Sequence, residues 1–152
     1  MAEAILSAAR AETAELSVLL VSDRRMRALN RRYRKKDRPT DVLAFPLTVP
    51  YVPPLCKGRL GRVESLGKRY LPSPLLTKEG NFQKAPVLLG DVVISMPTAK
   101  RQATECGHGL REEVARLLVH WTLHLLGYDH ERGPRDAAVM ARKERAILKE
   151  IG

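Results

Sequence analysis

Cysteine, aromatic residues and long apolar runs are all scarce in this chain, and each scarcity closes off a class of protein. Its 152 residues include only two cysteines, Cys56 and Cys106, which show no paired-motif spacing, so a disulfide framework is excluded and a reduced, cytoplasmic setting is expected. No apolar run approaches the roughly 18 residues that a membrane span requires, and no membrane partner is expected. The N-terminus carries Glu3 and lacks a basic segment followed by a long apolar core, which argues against a secretory signal. Aromatic residues make up 5% of the chain, too few for an extended platform on which bases could stack. Carboxylates are also in deficit: 27 Lys and Arg face 17 Asp and Glu, for a net charge of +10. That excess points to a polyanionic partner.

The excess is unevenly spread. Residues 50–86 carry seven Lys or Arg against two Glu, half of the net charge, together with six of the ten prolines and four glycines. This segment shows no periodicity, and its composition predicts an insertion loop that stays disordered at the surface of a single domain covering residues 1–152. A second basic stretch holds Arg24, Arg25, Arg27, Arg31, Arg32, Arg34, Lys35, Lys36 and Arg38. Such a run is commonly just a solvated helix face. Leading straight into a strand, it is also placed to contact a polyanionic partner.

Histidine is nearly as rare as cysteine, and its distribution is the most informative feature of the chain. Of four histidines, three fall within eleven residues: His120, His124 and His130. A spacing of four sets His120 and His124 one turn apart on one helix face, where both imidazoles can reach a single ion. Gly127 allows a left-handed exit from that helix, and the turn can return His130 to the same point. Three imidazoles with an open fourth position match a catalytic zinc rather than a structural one, which takes four protein ligands. One Zn²⁺ is therefore expected, in a metal-dependent hydrolase. Asp129, beside the third histidine, has two possible roles: orienting an imidazole from behind, or capping the turn. His108 stands alone in a Gly-His-Gly turn and reads as a loop residue.

The remaining pattern predicts an α+β domain: a small mixed β-sheet packed against helices, with a central helix carrying the histidines. Helices are expected over residues 2–12, 24–33, 97–105, from Leu110 onward, and 134–151, with strands over 16–21, 41–45 and 87–94. The central helix should bury Leu110, Val114, Leu117, Leu118, Trp121 and Leu125, and the last helix should pack through Ala138, Met140, Ile147 and Leu148.

Residues 120–130, H-W-T-L-H-L-L-G-Y-D-H, resemble the signature H-G-x-L-H-L-x-G-Y-D-H of the YbeY-type endoribonucleases. Residues 33–46, Y-R-K-K-D-R-P-T-D-V-L-A-F-P, resemble that family's Y-R-x-x-D-x-P-T-D-V-L-S-F-P, and residues 89–94, L-G-D-V-V-I, its L-G-D-I-x-I. The similarity covers residues 16–150 apart from the 50–86 segment. It implies a zinc-dependent, single-strand-specific endoribonuclease that matures ribosomal RNA, notably at the 3′ end of the small-subunit RNA, and that acts in ribosome quality control with the ribosome or its small subunit as partner. It implies His120, His124 and His130 as the zinc ligands, His120 and Arg34 as catalytic residues, and Arg34 with Lys36 as RNA-binding cations. Trp121 replaces the signature glycine, the segment at 50–86 replaces a short connection, and the chain opens inside the family's first helix, without its opening strand.

Two other readings share the histidines. The spacing H-x3-H-x2-G-x2-H is also that of metzincin metalloproteases, but those need a glutamate directly after the first histidine as general base, and Trp121 stands there. A ribosome assembly factor that keeps zinc for structure alone would bind ribosomes without cleaving RNA. For the nuclease, direct attack of water on phosphorus and internal attack by the ribose 2′-hydroxyl both fit the ligand set.

Overall fold

A computed structural model of the chain describes residues 1–47, 75–76, 82–83 and 87–152. In chain order the elements are α1 (Ala2–Ala8), β1 (Ala14–Val21), α2 (Asp23–Arg34), β2 (Val42–Pro46), β3 (Leu75–Leu76), β4 (Phe82–Gln83), β5 (Val87–Ser95), α3 (Met96–Cys106), α4 (Leu110–Leu125), a 3₁₀ turn (His130–Arg132) and α5 (Pro134–Ile151). This is the expected α+β arrangement. Apart from the short antiparallel pair β3–β4, the segment expected to be a disordered insertion lies outside the described residues. Among the described residues no helix is long and apolar enough to cross a membrane.

The sheet follows from the order of its most apolar strand. β5 reads Val-Leu-Leu-Gly-Asp-Val-Val-Ile-Ser, the near-continuous aliphatic run of a strand covered on both faces, and it lies in the middle of the order β1-β5-β2. β1 pairs with it in parallel and β2 antiparallel. Alternation then divides the core in two. Val92 and Ile94, with Val42, pack with Ile5 of α1, Leu118, Val119 and Leu123 of α4, and Met140 and Ile147 of α5. Val93 and Leu43 point the other way and pack with Met26 of α2. Gly90 is required where β2 crosses β5: its φ of +144° suits glycine, and a Cβ there would collide with the Phe45 carbonyl oxygen.

Two expectations are corrected. The first helix stops at Ala8 rather than near residue 12. Its alanines would tolerate more helix, but Ile5 and Leu6 are already buried and β1 must begin at Ala14, paired with Val87. The chain therefore turns through Arg10 (φ 59°), with the Arg10 N–H donating to Ser7 O and the Ala11 N–H to Leu6 O, a Schellman ending that tertiary packing imposes on a willing helix sequence. The second correction concerns buried faces. α4 buries Val114, Ala115, Leu118, Val119, Thr122, Leu123 and Leu125, whereas Leu110, Leu117 and Trp121 are only partly buried. Sheet, α1, α3 and α5 all touch this helix, so its covered arc is wider than one amphipathic stripe. On α5, Ala138 is exposed while Met140 and Ile147 are fully buried.

Polar ties fix the helices around the sheet. The Asp23 carboxylate, at the start of α2, accepts from Ser95 Oγ, from Thr98 Oγ1 (2.7 Å) and from Arg101 of α3 (2.9 Å). These donors, led by Ser95 and Thr98, draw its pKa down to about 2. Asp41, in the P-T-D stretch, accepts the Val42 N–H at 2.8 Å and Gln102 Nε2 at 3.3 Å, tying β2 to α3. Buried Asn30 donates to Arg38 O at 2.7 Å and holds the loop that follows α2.

Candidate metal centre

α4 delivers two imidazoles by helical spacing alone, and both are partly buried. The helix ends as Gly127 required. With Gly127 at φ 93°, its N–H donates to the His124 carbonyl at 2.9 Å and the Tyr128 N–H to Leu123 O at 3.0 Å. This Schellman ending reverses the chain into the 3₁₀ turn, whose first residue is His130. Asp129 caps that turn: its carboxylate accepts the Glu131 N–H at 3.0 Å and Arg132 Nε at 3.2 Å.

The outcome is convergence. Ring centroids lie 4.7 Å apart for His120 and His124, 4.9 Å for His124 and His130, and 5.4 Å for His120 and His130. One nitrogen from each ring lies within 4.8 Å of the others. Zinc–imidazole bonds run to about 2.0–2.1 Å, so small side-chain rotations would close the three nitrogens onto one ion. Trp121, partly buried, sets its indole 5.3 Å from the His124 ring and 5.7 Å from that of His120, forming a wall of the cluster.

Electrostatics favour the ligand form of the rings. Burial, and then the neighbouring His120 and His130, hold the pKa of His124 below the ordinary imidazole value. The His124 ring therefore resists protonation and offers a lone pair, which is what a divalent cation requires. His120 has a second partner that sequence reasoning missed. Its Nδ1 lies 2.7 Å from Glu144 Oε1 of α5, which leaves Nε2 as the free ring nitrogen. A carboxylate on the far nitrogen of a ligating histidine fixes tautomer and ring orientation and raises ligand basicity. The signal was present in the sequence: Glu144 stands among Met140, Ile147, Leu148 and Ile151, in the middle of an otherwise apolar helix face.

Asp129 does the other of its two expected jobs. Both its oxygens are engaged by the turn, and its influence on His124 is through charge alone. His108 does not join the cluster; its Nε2 lies 3.1 Å from Glu113 at the start of α4. Arg34 is exposed at the last residue of α2, and Lys36 is exposed just beyond Lys35, whose φ of 59° ends that helix. The two cations therefore come from an element separate from the one that carries the imidazoles.

A family model described as "Endoribonuclease YbeY" matches residues 1–152. The chain is 41% identical to "Endoribonuclease YbeY" of Aquifex aeolicus (strain VF5) over 150 residues, covering 99% of this chain and 79% of that one. With the protein of the same name from Anaeromyxobacter dehalogenans (strain 2CP-C) the identity is 43% over 151 residues, covering 99% of this chain and 61% of the relative. Among solved structures, the solution structure of TM1509 from Thermotoga maritima superposes with a TM-score of 0.58 at 22% identity, covering 98% of this chain and 77% of the other. At that identity the likeness speaks for the fold.

Proposed function

The chain belongs to the YbeY endoribonuclease family, and on that footing we propose that it cleaves single-stranded RNA at the His120–His124–His130 centre, using one bound Zn²⁺, in the maturation of ribosomal RNA. The observation that carries this reading is the approach of three imidazole nitrogens to within 4.8 Å of one another at the end of a helix whose sequence matches the family signature.

The donor set fits zinc: three nitrogens, no competing cysteine among the described residues, and a carboxylate on the outer nitrogen of one ring. Bound there, the ion would supply Lewis acidity, lowering the pKa of a water toward about 7 and drawing charge from a phosphate oxygen. The protein's own groups do the rest. Glu144 holds the proton on His120 Nδ1 and keeps Nε2 directed inward. Trp121 and the partial burial of α4 exclude bulk water from one side. Arg34 offers a planar donor fork suited to a phosphate, and Lys36 a further positive charge. RNA would approach along the exposed basic end of α2, where phosphate contacts position the strand without reading its bases. The ribosome or its small subunit is then the natural source of site selection, at the 3′ end of the small-subunit RNA and in quality control of defective particles. Residues 1–152 form one catalytic domain in this reading, working in the cytoplasm.

Peptide hydrolysis is disfavoured by the same geometry. Among the described residues, the carboxylate that meets one of the three histidines, Glu144, is committed to Nδ1 rather than following His120 in the helix, where a metzincin's general base sits. The test incubates the purified protein with labelled single-stranded ribosomal RNA and with casein, with and without chelator, alongside His120→Ala and Arg34→Glu. RNA cleavage that chelator and His120→Ala both abolish is expected, with casein intact. Cleavage that survives both would remove the reading.

A further inference from the structure

The inner face of α5 belongs to the metal centre through Glu144; its outer face has no assigned task. At 100° per residue, Arg135, Arg142, Arg145 and Lys149 fall on one side of this helix, opposite Met140, Glu144, Ile147 and Ile151. All four cations are exposed. The positions between them on that side are Ala138 and Ala146, whose small exposed side chains leave the helix open to close approach. The acids of α5 lie elsewhere: Glu144 and Asp136 fall on the Met140 side, and Glu150 lies at the flank.

Elsewhere in the described residues, four exposed arginines have taken carboxylate partners, while others such as Arg24 and Arg25 of α2 have no ion pair. Arg27 pairs with Asp37, Arg101 with Asp23, Arg116 with Glu112 and Arg132 with Asp129. None of these ion pairs includes a cation of the α5 stripe, where only Arg145 makes a bond at all, from Nε to the Ala141 carbonyl. A helix face carrying four cations without a counter-ion pays a repulsion that a polyanion would relieve. Its position matters as much. The stripe begins at Arg135, within the turn and a half of chain that follows His130, and runs about 21 Å along the axis to Lys149.

We infer that the outer face of α5 is a second RNA-binding surface, an extended track for the sugar-phosphate backbone that leads away from the histidine cluster and is separate from the basic end of α2. A linear stripe of unpaired cations interspersed with alanine suits a strand of regularly spaced phosphates, since it offers charge along a line, with Val139 at its edge the single large exposed apolar side chain of the helix, too little to anchor a folded protein partner or a lipid bilayer. The inference rests on the ribonuclease reading for the identity of the polyanion.

The test uses the full chain and the double variant Arg142→Glu/Lys149→Glu, with Arg142→Ala/Lys149→Ala beside it to separate lost contacts from added repulsion. Binding to a long single-stranded RNA is measured by fluorescence anisotropy across a salt series. Loss of two phosphate contacts should weaken binding at low salt about tenfold or more and make the plot of log K against log salt shallower by about 1.4 in the alanine pair. Zinc content and melting temperature should stay at wild-type values, because the stripe touches neither the imidazoles nor the core. An unchanged affinity and salt slope in both variants would overturn the inference, as would intact RNA binding combined with lost binding to anionic phosphatidylserine vesicles. Failure of the nuclease reading is seen separately, as absence of chelator-sensitive RNA cleavage by the wild-type protein.

Discussion

Two polar clusters in this molecule are built on opposite plans. Around Asp23, one carboxylate is met by Ser95, Thr98 and Arg101, so charge and hydrogen-bonding capacity are balanced within the chain. Around His120, His124 and His130, three groups of the same kind converge, with ring centroids 4.7–5.4 Å apart, and the acid that meets them, Glu144, holds the outer nitrogen of His120. The first cluster is complete and joins α2 to α3. The second is complementary to something the chain does not itself provide. Where folding brings like groups together at a cost, the compensating partner is a ligand, and this distinguishes a site from a brace more reliably than burial or charge does.

The contrast is broken most strongly at the histidines. His120→Ala or His124→Ala should leave a folded protein, since both rings are only partly buried, yet reduce zinc content and RNA cleavage to background. A folded variant that keeps stoichiometric zinc in elemental analysis would show that the cluster is not the binding site. Arg34→Glu comes next, with zinc retained and cleavage falling about 10²–10³-fold if its fork meets charge developing on phosphate. Glu144→Ala follows: lost support of His120 should weaken zinc affinity about 10–100-fold, with Glu144→Gln in between because an acceptor remains. Competition with a chelating dye reads this directly, and a role confined to packing would leave that affinity unchanged.

The order of these effects parallels what the sequence made legible. The three histidines were readable because helical spacing and a glycine exit are local rules, and all three sit within one turn-and-helix unit. The strands and helices were readable for the same reason, from β5's aliphatic run to the Gly127 ending. Glu144 stood out as an acid on an apolar face, but its partner was not readable, because it is 24 residues from His120 and the two meet only when α5 packs against α4. Glu113, buried and paired with His108, illustrates the same rule: a carboxylate on the covered side of a helix is waiting for a partner that periodicity cannot name. The wide buried arc of α4 was equally out of reach, since it depends on how many elements touch the helix.

The balanced cluster should respond in stability rather than activity. Asp23→Ala leaves Ser95 Oγ and Thr98 Oγ1 without their acceptor and removes the partner of Arg101. With the Asp23 pKa held at about 2 against an ordinary carboxylate value of 3.8, linkage assigns the carboxylate on the order of 2 kcal/mol of folding stability. Denaturant unfolding at neutral pH should show a loss of that size while cleavage per folded molecule is kept. The sign in acid follows from the depressed pKa. The contribution is fully present above 3.8 and is lost as pH falls through about 2, so wild type and variant should converge in stability at the acid end. A gap that persists at low pH would place the effect in packing rather than in the carboxylate's charge.

The smallest effect concerns the metal-free protein and has a different pH window. His124 is held below the ordinary imidazole pKa of 6.5, first by burial and then by its two neighbouring rings. The unfolded chain therefore binds a proton at this position at a higher pH than the folded one does, and the stability of the zinc-free protein should decline as pH drops below 6.5. His124→Gln keeps a polar side chain that does not titrate and should flatten that decline, by less than the loss expected from Asp23→Ala. Zinc changes the outcome, because it binds the neutral ring and competes with the proton. Saturating zinc should move the decline to lower pH in the wild type and leave His124→Gln nearly unmoved. A pH profile that zinc does not shift would mean that the three imidazoles repel one another without any ligand to relieve them, and the distinction between the two clusters would then fail.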